Sequence, residues 1–203
     1  LKIKKKLNSM IKSNGINKIN IAVFISGTGS NLKNLIKDSK KKNAKYKVCL
    51  VVSNHIKAKG LNYASRTKIK KKIIDYSNLR SSEKIILKYL KKNKIQIICL
   101  AGFMKILSKN FIDNFVGKIL NIHPSLLPKY KGLNTHQRAI KNKEKYSGCS
   151  VHLVNSKLDS GKIILQKKVK IFKNDTVKKL NKRILKQEHL LYPKALNKIL
   201  ISL

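Results

Sequence analysis

From Ile19 onward this chain alternates uniformly apolar runs with amphipathic stretches, and that alternation constrains the fold more than any other feature. Residues 19–26 read as a buried strand. The turn Gly27-Thr28-Gly29 follows, then a helix from Ser30 with Leu32, Leu35 and Ile36 on one face. Residues 48–53 form a second apolar strand, 59–66 a helix and 73–76 a short strand. Residues 82–92 read as a helix opened by a Ser cap, with Ile85, Ile86, Tyr89 and Leu90 turned inward. Residues 95–103 are a strongly apolar strand, 108–115 a short helix and 118–123 another strand. Strands without polar alternation, separated by helices, indicate an α/β fold: a doubly wound, mostly parallel sheet with helices on both faces. Residues 150–154 and 163–171 alternate more, which suits later, antiparallel strands. Asp175 is placed to cap a long final helix, which Pro193 interrupts or ends. No repeat or linker marks a second domain. The expected division is a Lys-rich extension over 1–19, read as a disordered or loosely docked tail, and one domain over 20–203. The tail lacks the apolar stretch of a secretory signal, and Met10 is an alternative start.

The formal charge is +40, yet only Arg66, Arg80, Arg138 and Arg183 carry guanidinium groups, so 44 of the 48 basic residues are lysine. Bidentate phosphate and base contacts favour arginine. Lysines spread along the whole chain, together with many Asn and Ile, fit a compositional drift better than a nucleic-acid site, so no specific nucleic-acid partner is expected. No apolar run reaches the roughly 18 residues of a membrane helix. The cysteines, Cys49, Cys99 and Cys149, are too far apart for a metal or disulfide framework, which fits a reducing cytoplasm and no metal. Only five Asp and three Glu remain, so each carboxylate invites an explanation.

The chemistry concentrates in Asn121-Ile122-His123-Pro124-Ser125-Leu126-Leu127-Pro128. In a strand, residues i and i+2 share a face, so Asn121 and His123 can converge on one atom. An amide donor beside an imidazole suits a reaction in which a carbonyl oxygen gains charge while a proton moves. Ser26-Gly27-Thr28-Gly29-Ser30-Asn31 lies between strand and helix. It lacks the third glycine of a dinucleotide fingerprint and the Gly-Lys-Ser/Thr of a Walker loop. Spacing leaves two readings open, a monophosphate site at a helix start or an ordinary turn. Leu158-Asp159-Ser160-Gly161 reads by itself as turn chemistry. If the fold returns Asp159 toward His123, it would orient the imidazole and raise its pKa. Glu188, among lysines on the last helix, reads by itself as a solvated ion-pair partner. His55, His136 and His152 form no metal cluster of readable spacing, and His152 falls on a strand that reads as core. Cys99 and Cys149 read as small buried hydrophobes.

In order, Ile25–Leu32, Val52-Ser53-Asn54, Leu100–Ser108, Leu120–Tyr130, Gly132-Leu133, Thr135-His136, Ser150-Val151-His152, Leu158–Gly161, Ile164-Leu165-Gln166 and Gln187-Glu188-His189 with Tyr192-Pro193 resemble the folate-dependent formyltransferases that act on glycinamide ribonucleotide. The resemblance covers roughly residues 19–200. It implies a Rossmann-like sheet and 10-formyltetrahydrofolate as formyl donor. It also implies catalysis by Asn121, His123 in its protonated form, and Asp159. By the same resemblance Gly29, Ser30, Asn31 and Glu188 would hold the ribonucleotide. Arg80, Met104, Lys105, Ile106, Leu107 and Asn121 would meet the folate. The implied partners are small molecules, with a monomer or weak homodimer. Thr28 and Lys105 depart from the family's common Asn and Arg. Methionyl-tRNA formyltransferases share the Asn–His–Asp chemistry, but add a C-terminal domain for which no residues remain and favour Arg-Gly-Ala after the Leu-Leu-Pro. Formyltetrahydrofolate hydrolases carry a regulatory domain ahead of the glycine turn. A basic nucleic-acid binder would have no need of the three reacting groups together.

Overall fold

The computed structural model describes residues 18–201, so the expected Lys-rich extension lies, apart from Lys18 and Ile19, outside the described residues. Ile19 opens the first strand and belongs to the domain. In chain order the elements are β1 (Ile19–Ile25), α1 (Ser30–Ser39), β2 (Tyr46–Ser53), α2 (Leu61–Arg66), β3 (Lys70–Ile73), α3 (Leu79–Lys92) and β4 (Ile97–Leu100). Then come α4 (Lys109–Asn114), β5 (Lys118–His123), α5 (Thr135–Lys141), β6 (Tyr146–Leu153), β7 (Ile163–Lys170) and α6 (Val177–Ile201).

One seven-stranded sheet runs β3-β2-β1-β4-β5-β6-β7. The first five strands in that order pair in parallel, whereas β6 and β7 join antiparallel. The expected doubly wound architecture with antiparallel late strands is what the chain adopts. β1 explains why its strands carry no polar alternation. Ile21, Val23 and Ile25 pack under α1, α2 and α6, while Ala22 and Phe24 pack on the other face against Ile86 and Leu90 of α3 and Phe111 of α4. Both faces being covered, every β1 side chain from Ile21 to Ile25 is fully buried, and Ile21, Val23, Phe24 and Ile25 each contribute about 1.5–3 kcal/mol of transfer free energy.

Local expectations shift where tertiary packing intervenes. The short strand is Lys70–Ile73, not 73–76. It is the outermost strand, so three lysines keep their heads in water while the backbone pairs with β2. Helix α3 starts at Leu79 and is capped by Asn78, whose Oδ1 accepts from Ser81 N at 3.1 Å; Ser82 is not the cap. Ile85 is exposed and Glu83 is buried, the reverse of what the apolar pattern suggests. The apolar strand 95–103 contracts to Ile97–Leu100, and α5 had no signal strong enough to be read. Thr176, one residue after Asp175, caps α6, its Oγ1 accepting from Lys179 N at 3.2 Å. Asp175 instead pairs with Arg183 and accepts from Phe172 N. Pro193 does not end α6, which runs on to Ile201. Leu191, Tyr192, Ala195, Leu196 and Ile199 around it are buried, and that packing outweighs the roughly 3 kcal/mol proline penalty in a helix interior.

The strand order reverses at β1, with β2 on one side and β4 on the other. In open α/β sheets ligands bind outside the carboxyl ends of strands at such a switch point. β1, β4 and β5 there present Ser26–Gly29, Ala101–Gly102 and Asn121–His123.

Candidate active site

A cleft of about 1070 Å³ opens at this switch point. It exceeds the roughly 300–1,000 Å³ of a pocket for one small ligand. Its lining brings together, from the sequence expectations, Gly29, Ser30, Asn31, Met104, Lys105, Ile106, Leu107, Asn121, His123, Asp159 and Glu188. Arg80 is exposed on the first turn of α3 and is not among the lining residues.

At one end lies the glycine turn. Gly29 takes φ 70°, and a Cβ there would stand 2.5 Å from Gly60 Cα, so close backbone packing already requires glycine. The turn also leaves α1 without any side-chain cap, and its first amides face the cleft as free donors at the positive end of the helix dipole. Asn31 Nδ2 donates to Glu188 Oε2 at 2.7 Å, tying this end to α6. Glu188 is only 7% exposed, which overturns the solvated ion-pair reading. Burial raises its pKa, and the Asn31 hydrogen bond opposes this only in part.

The opposite wall runs from Gly102 to Leu107. Met104 and Ile106 stand 67% and 72% exposed, apolar surfaces turned to the cleft with Leu107 buried beneath. Ser26 Oγ accepts from Met104 N at 2.7 Å, pinning the wall to the end of β1.

Between them sit the reacting groups. Asn121 and His123 project from β5 as their spacing predicts, and β6 lies antiparallel alongside, placing His152 opposite Asn121. The turn linking β6 to β7 returns Asp159 to this point. Gly161 makes that return possible, since a Cβ there would lie 1.8 Å from Leu153 O. Asp159 itself takes φ 45°, which Asp tolerates better than most residues. Its Oδ2 accepts from Gly132 N at 2.9 Å and lies 3.3 Å from His123 Nδ1. Its Oδ1 accepts from Asn121 Nδ2 at 3.3 Å and lies 3.5 Å from His152 Nε2. Burial pushes the Asp159 carboxyl up, but the bonds from His152 and Gly132 and the nearby imidazoles hold it below the ordinary carboxylate range.

His123 Nε2 lies 2.9 Å from the Tyr130 carbonyl, so both ring nitrogens face oxygen acceptors. Even so, burial carries its pKa below the usual 6.5, against the upward pull of Tyr130 O and Asp159. Sequence reasoning foresaw the Asp159 contact and its sign, but expected a raised pKa. The difference is that desolvation outweighs the pull of the carboxylate.

His152, read from sequence as a core residue, is the functional neighbour that was missed. Its Nδ1 lies 2.8 Å from Leu153 O, which only an N–H can satisfy, and its Nε2 lies 3.2 Å from Asn121 Nδ2. His152 Nε2 thereby accepts from Asn121 Nδ2. The only signal was a histidine on a strand, and the register that sets it opposite Asn121 is not written in local sequence. Among the described residues no group of three or more His, Cys, Asp or Glu side chains could hold a metal ion.

A family model described as formyl transferase matches residues 19–196. The chain belongs to the formyl transferase family. Among relatives of this formyl transferase, the trifunctional purine biosynthetic protein adenosine-3 of Gallus gallus is 42% identical over 183 residues, 89% of this chain and 18% of that protein. The chain therefore spans less than a fifth of those multifunctional relatives. Phosphoribosylglycinamide formyltransferase of Haemophilus influenzae is 43% identical over 176 residues, 85% of this chain and 83% of the relative. The crystal structure of phosphoribosylglycinamide formyltransferase from Brucella melitensis superposes with a TM-score of 0.86 at 41% identity, covering 91% of this chain and 96% of that one. No described helix of this formyl transferase is long and apolar enough to cross a membrane.

Proposed function

We propose that this formyl transferase moves the formyl group of 10-formyltetrahydrofolate to the amine of 5'-phosphoribosylglycinamide, a step of purine biosynthesis, in the cytoplasm. The observation that carries the reading is the convergence of Asn121, His123 and Asp159 in one cleft with an uncapped helix start at one end and an apolar wall at the other. The phosphate lies on the amides of Gly29, Ser30 and Asn31, and Glu188 meets the glycinamide end. The folate lies along Met104, Lys105, Ile106 and Leu107. Arg80, outside the cleft lining, can serve only a part of the folate that extends beyond it.

The amine attacks the formyl carbon, forming a C–N bond and placing negative charge on the formyl oxygen. Asn121 donates to that oxyanion, a contact whose loss costs about 2.7–4 kcal/mol in other enzymes. Both Asn121 amide hydrogens are engaged by His152 and Asp159, and the oxyanion takes the place of one of them. His123, neutral at first, takes the proton the amine releases. Asp159 stabilises the imidazolium at 3.3 Å, so the proton is held until N10 of the folate accepts it and the C–N10 bond breaks. His123 must exchange its contact with Tyr130 O for the substrate. The role is that of general base, then general acid, typically on the order of 10² to 10⁴ in rate.

The test is formyl transfer from 10-formyltetrahydrofolate with glycinamide ribonucleotide, methionyl initiator tRNA and water offered as acceptors. Turnover confined to glycinamide ribonucleotide is expected. Transfer to tRNA, or tight RNA binding without transfer, would overturn the reading and give the +40 charge a function.

A further inference from the structure

We propose that Glu83, on α3 and outside the reacting centre, is a positioning residue that fixes the wall of residues 104–107 for the formyl donor; this rests on the folate reading above. Glu83 is one of three glutamates in the chain and is 3% exposed. Its Oε1 accepts from Ser108 N at 2.7 Å, and its Oε2 accepts a short hydrogen bond from Ser108 Oγ. Ser108 Oγ in turn accepts from Phe111 N at 3.0 Å, capping α4. Burying a carboxylate is costly unless it is hydrogen-bonded, and here both oxygens are committed to the single residue that follows the wall.

The wall is thereby held at two ends. At its start Ser26 N donates to Gly102 O at 3.1 Å, Ser26 Oγ accepts from Met104 N, and the Phe103 ring packs against Phe24 and Tyr76 at 5.3 and 5.6 Å between centroids. At its finish stands the Glu83–Ser108 clamp. Between these anchors Met104 and Ile106 present their side chains to the cleft. Exposed apolar side chains on a loop contribute to binding only as far as their backbone is already ordered, because a ligand must otherwise supply the ordering free energy. Releasing the far anchor loosens residues 105–107 and weakens the donor, while the acceptor end at Gly29–Asn31 and Glu188 is untouched.

Glu83→Ala is expected to raise the KM for 10-formyltetrahydrofolate about tenfold, or about 1.4 kcal/mol. Its kcat at saturating donor and its KM for glycinamide ribonucleotide should stay within about twofold. Glu83→Gln keeps an oxygen for Ser108 N and offers an N–H that Ser108 Oγ can accept, so it should restore most of the donor KM. In the ligand-free protein, amide hydrogen exchange of residues 105–107 should quicken in Glu83→Ala and not at Gly29–Asn31. Wild-type donor KM and exchange in a folded Glu83→Ala protein would overturn the proposal. So would a fall in kcat and Tm accompanied by a rise in both KM values, the mark of general destabilisation. If Glu83→Ala fails to fold, Ser108→Ala removes the hydroxyl contact with Glu83 together with the α4 cap and leaves Glu83 Oε1 on Ser108 N: a selective rise in donor KM supports the clamp, and an unchanged donor KM refutes it. Should the wild-type protein transfer no formyl group, the folate reading fails, and the exchange measurement still decides whether Glu83 orders the wall.

Discussion

Replacing Asp159 by Asn keeps the shape of the side chain and removes its charge and half its capacity to accept. Three donors face the carboxylate, Gly132 N and His123 Nδ1 at Oδ2 and Asn121 Nδ2 at Oδ1, with His152 Nε2 3.5 Å from Oδ1. The Gly132 amide is fixed by the backbone, so the one oxygen left on the substituted side chain must stay on that side, and the new NH2 turns toward Asn121 and His152. Asn121 then has to rotate its own amide or face a donor with a donor. Either way its hydrogen is no longer aimed where the oxyanion develops. His123 meanwhile loses the charge that would hold its proton. Each hydrogen bond to a charged group is worth about 1.5–3 kcal/mol; the Asn121 bond is lost and the His123 bond no longer meets a charge, giving up to about 3–6 kcal/mol before relaxation. A fall in kcat of about 10² to 10⁴ follows, with the KM for both substrates changed much less. Single-turnover formyl transfer at pH 7.5, with a thermal melt to verify a cooperative fold, is the assay. A folded Asp159→Asn protein turning over within threefold of wild type would refute the assignment of Asp159 to the proton chemistry.

Glu188→Gln keeps the acceptor for Asn31 and removes a buried charge. Because burial raises the folded pKa above the ordinary 4.5, the wild-type protein is penalised above that pH and not below it. The variant should melt higher at pH 7.5, lose that advantage as pH falls to about 4.5, and bind glycinamide ribonucleotide more weakly; an equal or lower Tm at pH 7.5 would contradict the burial argument. His123, His136 and His189 all have pKa values lowered chiefly by burial, so the unfolded chain takes up protons first. Stability should be full above pH 6.5 and decline as pH falls through the lowered folded values, which urea unfolding at pH 7.5 and 5.5 in the Glu188→Gln background would measure. The acidic limb of kcat/KM should likewise inflect below 6.5, and an inflection above 7 would require a protonated His123 in the free enzyme. Tyr192 is fully buried, its hydroxyl shared between Leu100 O at 3.0 Å and Leu120 O at 3.1 Å. Tyr192→Phe should cost about 1–2 kcal/mol and lower Tm by several degrees, since it removes the hydroxyl from two buried strand carbonyls; an unchanged Tm would show that water or the sheet satisfies them.

Much of this protein was legible from short-range pattern. The largely apolar 19–26 run implied a strand covered on both faces, and the structure divides its apolar side chains between two clusters. The i, i+2 spacing of Asn121 and His123 placed them on one face, and the glycine turn between β1 and α1 lies where it was read. Failures cluster where the deciding neighbour is remote in sequence. Residues 70–73 are a strand because β2 lies beside them, although lysine-rich. Glu83 and Glu188 carry the same local signal as any helical glutamate among lysines. One meets Ser108 and the other Asn31, 25 and 157 residues away. His152 became part of the site through the antiparallel register of β6 on β5.

The sequence by itself determined the periodicities of strand and helix, the backbone positions that only glycine can occupy, and the identity of the groups able to move a proton or stabilise an oxyanion. These are properties of neighbouring residues and of side-chain chemistry, fixed before any folding. The tertiary structure decided which carboxylates are buried, which donors each one satisfies, and that burial lowers the His123 pKa despite its aspartate. Charge state depends on the solvent excluded and the distances between groups, and those distances exist only once strands far apart in the chain lie side by side.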